Sequence, residues 1–178
     1  DPIGSRGLGD VYKRQAYNTG DTVRFVSANP FRLIVTGRIK HFISAFGEHV
    51  IQEEVEAAIS QASGEMGVKY TEFTVAPIVA SDGGESCHEW FIELENARDV
   101  NLSLYARKLD ELVQSRNSYY RDLRQGALLA QIKLTLIEAG GFAAYFAEND
   151  KVGGQNKVQH LANNRELADK LLKYVKKG

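Results

Sequence analysis

Eight residues, His88 to Glu95, constrain the fold of this chain more than any other stretch. His88, Trp90, Ile92 and Leu94 alternate with Glu89, Glu93 and Glu95, and a period of two places successive side chains on opposite faces of a β-strand. The alternation predicts a sheet covered on one face and solvated on the other. Lys69 to Val79 reads as a partner strand across a turn at Ser81-Asp82-Gly83-Gly84. Leu128 to Ile137 reads as a further strand, with Ile132, Leu134 and Leu136 on one side and Lys133 and Thr135 on the other.

Around these strands the apolar period lengthens. Val50 to Ala62 repeats Val50, Ile51, Val55, Ala58, Ile59 and Ala62, with Glu53, Glu54 and Glu56 near the helix end that favours negative charge. Ser63-Gly64-Glu65-Met66-Gly67 is expected to stop that helix. A second helix, Val100 to Arg116, carries Leu102, Tyr105, Leu109 and Leu112 on one stripe, and a short one carries Tyr119, Tyr120 and Leu123 up to Gly126. Phe142 to Phe146 reads as helix, and Lys151 to Gly154 as a mobile link. A last helix is expected to begin at an Asn163 N-cap, with Glu166 three residues on, and to bury Leu167, Leu171, Leu172 and Val175. Upstream, Thr22 to Val26 and Phe31 to Thr36 flank Ser27-Ala28-Asn29-Pro30 and read as a hairpin. The predicted class is α+β, a small domain with a mixed or antiparallel sheet and helices on one face.

The 178 residues are 43% apolar and 25% charged, enough for one core or a core with a small appendage. Lys and Arg number 22 against 23 Asp and Glu, so no global field draws nucleic acid or an anionic membrane, and neither is expected as a partner. No apolar run reaches the ~18 residues of a membrane span, and no leader pattern is visible; a cytoplasmic location is expected. The lone Cys87 can form no internal disulfide and reads as a buried structural thiol. His41, His49, His88 and His160 are too scattered for a metal site, and Glu53, Glu54 and Glu56 read as a solvated helix face. Residues 1–15 show neither period and read as a non-native, adapter-like tail.

The chemistry-bearing residues lie at the two ends. Tyr17-Asn18-Thr19-Gly20-Asp21 precedes Gly37-Arg38-Ile39-Lys40. A carboxylate is an acceptor with two oxygens, suited to both hydroxyls of a ribose, and a planar guanidinium suits hydroxyl or phosphate oxygens. Each alone also fits a turn or a surface ion pair. With Lys40 following, the order resembles adenylate-forming enzymes. The run from Ser27-Ala28-Asn29-Pro30-Phe31-Arg32 through Gly37-Arg38-Ile39-Lys40-His41 to Gly47-Glu48-His49-Val50 resembles, more closely, bacterial members of the Gretchen Hagen auxin-responsive promoter family. His88-Glu89-Trp90-Phe91-Ile92-Glu93, Asn117-Ser118-Tyr119-Tyr120 and Gly153-Gly154-Gln155-Asn156-Lys157 extend the resemblance, which spans Ala16 to about Lys177.

That resemblance implies a C-terminal part of an ATP-dependent, AMP-forming acyl acid-amido synthetase. Such an enzyme joins a carboxylic acid, activated as acyl-adenylate, to an amine such as an amino acid. It implies nucleotide-binding roles for Asp21 and Arg38, a hinge at Lys40, and a catalytic role for Lys157, whose charge would meet the α-phosphate and acid. Residues 16–39 would close a large adenylation domain and residues 40–178 would form the mobile C-terminal domain. ATP and Mg2+ would be bound in the intact parent, the missing N-terminal adenylation domain would hold the acyl and adenine pockets, and residues 1–178 alone would be inactive. Many relatives continue Lys-x-Pro-Arg, where this chain reads Lys157-Val158-Gln159-His160. Tyr119 and Tyr120 could line an acceptor channel or pack in a core. A stand-alone α+β binding module and an acyl-CoA ligase fragment are the alternatives; the first leaves the order Asp21, Arg38, Lys40, Lys157 unexplained.

Overall fold

The computed structural model describes residues 21–38, 42–81, 84–95, 97–149 and 157–176. The chain divides between Lys40 and His41 into two units. In the first, β1 (Asp21–Ala28) and β2 (Phe31–Arg38) pair antiparallel across a turn that contains the cis Asn29–Pro30 bond. Ala28 faces Phe31 at the turn and Asp21 faces Arg38 at the open end.

The second unit opens with two short paired strands, β3 (Phe42–Ile43) and β4 (Val50–Ile51). Its centre is a sheet of β5 (Tyr70–Ile78), β6 (Cys87–Leu94) and β7 (Lys133–Ile137), in the order β5-β6-β7. β5 runs antiparallel to β6 and β7 parallel to it, so the sheet is mixed. All eight residues of β6 are buried, glutamates included.

The sheet is therefore covered on both faces, which corrects the expectation of helices on one. Trp90 and Ile92 pack with Phe73 and Val75 under α1 (Gln52–Met66), α2 (Leu102–Arg116) and α3 (Ser118–Gln125), through Ala58, Ile59, Tyr105, Leu109 and Tyr120. On the other face Phe91, Ala76 and Ile137 meet α4 (Gly141–Glu148), α5 (Glu166–Leu171) and the 3-10 turn Leu172–Tyr174, through Phe142, Tyr145, Ala168, Leu171 and Tyr174. Glu89 and Glu93 lie among this second layer because each has partners there. Glu89 accepts from Thr135 Oγ1 at 2.6 Å and pairs with Lys133 Nζ at 2.9 Å and Arg165 Nη2 at 2.8 Å. Burial opposes its ionisation, yet the bonds from Thr135, Lys133 and Arg165 hold its pKa below the ordinary value. Glu93 accepts from the backbone N–H of Gly140 at 2.8 Å and of Phe142 at 3.4 Å, where the aligned peptides of α4 favour a negative charge.

Element ends depart from the sequence reading for local reasons. Val50 and Ile51 leave the helix to pair with β3. α1 then runs through Gly64 to Met66 and stops at Gly67, whose φ of 65° suits a residue without a Cβ. β7 begins at Lys133, five residues late, because the carbonyl of Leu129 accepts from Arg124 Nη1 at 2.6 Å and the chain there turns. Asn163 does not cap the last helix: its Oδ1 accepts from the Ser44 N–H at 3.1 Å, and Asn164 Oδ1 takes the Glu166 N–H instead. Of the residues expected to be buried by this helix, Leu171 is buried and Leu172 is half exposed.

Asn101 caps α2, its side chain accepting from the Leu104 N–H at 3.0 Å. Asn101→Ala is expected to cost about 1 kcal/mol, read as a lower urea midpoint at unchanged slope.

Candidate functional site

The free edge of β5 carries the segment that follows Lys157. Thr74 Oγ1 donates to the Gln159 carbonyl at 2.6 Å, the Val75 N–H to the His160 carbonyl at 2.9 Å, and the Ala162 N–H returns to the Val75 carbonyl at 2.9 Å. Leu161, fully buried, forms a parallel bridge with Val75 and joins the larger core. Residues 159–162 thus lie as a short added strand. Lys157 stands exposed two residues before its first bond.

His160 fixes this strand laterally. Its Nδ1 lies 2.7 Å from Glu56 Oε1 on α1 and its Nε2 lies 2.9 Å from Glu72 Oε1 on β5, while the ring stacks on Phe73 at 4.4 Å between centroids. Two carboxylates, one on each nitrogen, fit an imidazolium that donates from both. The hydrogen bond to Glu72, against the opposing effect of burial and with help from Glu56, raises the His160 pKa above its ordinary value.

Several other polar groups of the core are paired, while Trp90 Nε1 and Tyr174 Oη are buried without a hydrogen-bond partner among the described residues. Glu48 Oε1 meets His88 Nε2 at 2.9 Å with both side chains buried. Asp110 accepts from Tyr120 Oη at 2.7 Å and from Arg124 Nε at 3.0 Å. Burial foremost, then the Asp110 charge, pushes the Tyr120 phenol well above its ordinary pKa. Tyr119 is exposed and Tyr120 buried, so the pair divides between solvent and core. Burial also pushes the Tyr105 phenol up to about 12, although Ser63 Oγ lies 2.6 Å from its hydroxyl. Cys87 is buried and its thiol pKa is raised by burial.

Of the residues singled out in the sequence, Lys157 is described in full. Asp21 and Arg38 are described at the backbone, as the first residue of β1 and the last of β2, directly opposed in the antiparallel register. Opposed residues in such a ladder lie about 5 Å apart at Cα. Lys40, His41 and the Gly153-Gly154 pair lie outside the described residues. Sequence reading gave His160 and Glu56 no more than structural roles, because His160 lies 104 positions from Glu56 and 88 from Glu72, its two partners. A further cleft of about 400 Å³ at the carboxyl ends of β6 and β7 is lined by Leu94, Glu95, Arg98, Ile137, Glu138 and Lys176, and by none of the singled-out residues. Among the described residues no three His, Cys, Asp or Glu side chains gather as a metal site, and no helix is long and apolar enough to cross a membrane.

Comparison with solved structures places this fold. A structure named GH3.15 acyl acid amido synthetase is similar over 90% of this chain, with a TM-score of 0.72 and 16% identity. A second, named AtGH3.15 acyl acid amido synthetase in complex with 2,4-DB, is similar over 90% of the chain with a TM-score of 0.65 and 17% identity. The chain spans 30% of the length of each. At these identities the likeness speaks for fold. A search of curated proteins found no match.

A mixed three-stranded sheet layered by helices on both faces is the fold that this chain shares with those structures. The chain belongs to the GH3 family: the model of the GH3 family C-terminal domain matches residues 53–166, more than half of its length.

Proposed function

We propose that this chain is the C-terminal part of an ATP-dependent, AMP-forming acyl acid-amido synthetase, with Lys157 as its catalytic cation. The observation that carries the reading is the placement of Lys157: an exposed ammonium, at the head of a strand whose following residues are bonded to β5. A point charge on a flexible stem, set on a fixed base, suits a reaction in which negative charge moves among phosphate oxygens. The supporting context is membership of the GH3 family.

In the proposed reaction a carboxylate oxygen of the acid attacks the α-phosphorus of ATP. The bond to the bridging oxygen breaks, pyrophosphate leaves with the electron pair, and Lys157 balances the charge gathering on the α-phosphate oxygens. An amine, such as that of an amino acid, then attacks the acyl carbon, loses a proton and expels AMP. Asp21 would accept hydrogen bonds from the ribose hydroxyls and Arg38 would donate to the nucleotide. Their opposition at the open end of the hairpin is compatible with both reaching one ligand. Mg2+ would enter with the ATP phosphates and be held by residues outside those described. Lys40 would be the hinge between residues 16–39, at the end of the adenylation domain, and the domain from 40–178. Val26, Leu33 and Ile34 are exposed on the hairpin, as befits strands that continue a larger domain.

The test is product formation. A longer polypeptide in which the proposed adenylation domain precedes this chain, given ATP, a panel of carboxylic acids and a panel of amino acids, is expected to release AMP and form an amide, read by mass spectrometry. The 178-residue chain alone is expected to form none. Thioester formation with coenzyme A in place of amide would contradict the amido synthetase reading, and no product with any pair would turn the reading toward a binding module.

A further inference from the structure

His160 lies three residues beyond Lys157, and its side chain joins the segment that carries it to both α1 and β5. Nδ1 reaches Glu56 on α1, Nε2 reaches Glu72 on β5, and the ring lies on Phe73. Its own carbonyl accepts from the Val75 N–H. Backbone and side chain of one residue therefore tie the added strand to β5 in the plane of the sheet and to α1 above it. We propose that His160 is the positioning residue for Lys157, its doubly bonded imidazolium holding the added strand to β5 and α1 so that the lysine is presented from a fixed base. The inference rests on the adenylating role given to Lys157, but the clamp itself can be tested without it.

The chemistry makes the clamp dependent on protonation. A neutral imidazole has one N–H, so one of the two carboxylates would then face a lone pair. The groups that face the ring are Glu56 on α1, with Gln52 Nε2 donating to the same Oε1 at 2.6 Å, and Glu72 and Phe73 on β5, with Tyr70 edge-on to Phe73 behind it. Burial first, then the charges of Glu56 and Glu72, raises the Tyr70 pKa, which leaves that phenol neutral beside the clamp. The group whose protonation changes near neutrality is His160. Its folded pKa is raised, so the clamp is complete below the ordinary histidine value and weakens as pH rises through the raised one.

Amide hydrogen exchange in the 178-residue chain, followed by NMR together with the His160 ring resonances, tests this. After correction for intrinsic rates, protection of the Val75 and Ala162 amides is expected to fall roughly tenfold as His160 loses its proton, the scale of one charge-assisted hydrogen bond. The Phe91 amide, in the centre of β6, is expected to show no such step. In His160→Gln the protection is expected to be low at every pH. In His160→Arg, whose fork always carries charge and several donors, it is expected to return without the step. Titration of His160 with unchanged Val75 and Ala162 protection, or wild-type protection in His160→Gln, overturns the clamp. In the longer polypeptide, His160→Gln is expected to lower the maximal rate of ATP-pyrophosphate exchange roughly 10- to 100-fold at unchanged KM for ATP, with rescue by His160→Arg. An unchanged rate overturns the positioning of Lys157 even if the clamp is seen. Absence of exchange in the wild type overturns the adenylation reading, and the amide data still decide the clamp.

Discussion

Glu48→Ala is expected to lower the stability of the chain by about 1–3 kcal/mol, the cost of leaving buried donors without their acceptor. Glu48 and His88 are both buried, with Oε1 and Nε2 2.9 Å apart, and Glu48 Oε2 also takes the Phe46 N–H at 2.8 Å. The variant leaves both donors in the core without an acceptor, beside the Tyr120 ring, which lies 5.1 Å from that of His88. A typical domain has only about 5–15 kcal/mol in total, so a large share is lost. The effect also has a pH signature. Burial opposes the charge on Glu48, but the bond from His88, the local backbone N–H groups and the His88 charge together hold its pKa below 4.5. A depressed carboxylate pKa gives stability that is present above the ordinary value and lost as pH falls through the folded one. The gap between wild type and Glu48→Ala, measured by urea denaturation from pH 7 downward, is therefore expected to narrow in acid. Glu89, also held low, adds to the acid sensitivity of both proteins.

Lys157→Ala is expected to leave stability within about 0.5 kcal/mol of wild type, as for a surface change that breaks no buried contact. The Lys157 side chain is exposed and makes no ion pair among the described residues. Its effect on the proposed adenylation is expected to be large, a loss of roughly 100- to 1,000-fold in the maximal exchange rate, comparable to removing a preorganised group that meets transition-state charge. KM for ATP is expected to change much less, because in the proposed role the group acts on charge that develops after binding. Lys157→Arg keeps the charge but spreads it over a planar group with a different reach, so partial activity is expected. Similar stability together with a collapsed rate separates a catalytic lysine from a structural one.

The elements of this fold were legible because their periods are strong. The alternation through β6 and the stripes of α1 and α2 locate the sheet and one helical layer. The second layer was not legible from that alternation. A glutamate facing water and one facing a buried partner give the same period, and the partners of Glu89 and Glu93 come from Thr135, Lys133, Arg165 and the start of α4. The same long reach hid His160, whose two carboxylates lie 104 and 88 positions away. Asn163 carried a sound capping pattern, but the Ser44 N–H, 119 positions away, claims its side chain. The order Asp21, Arg38, Lys40, Lys157 was visible through resemblance, and the added strand that follows Lys157 along β5 was not, since a single parallel bridge leaves no periodic trace.

The measurement that tests this account most directly is ATP-pyrophosphate exchange by the longer polypeptide, across a panel of carboxylic acids, with Lys157 intact and with Lys157→Ala. The account predicts exchange that requires a particular acid and collapses in the variant while the variant remains folded. Exchange with no acid, or equal exchange in both proteins, would contradict it.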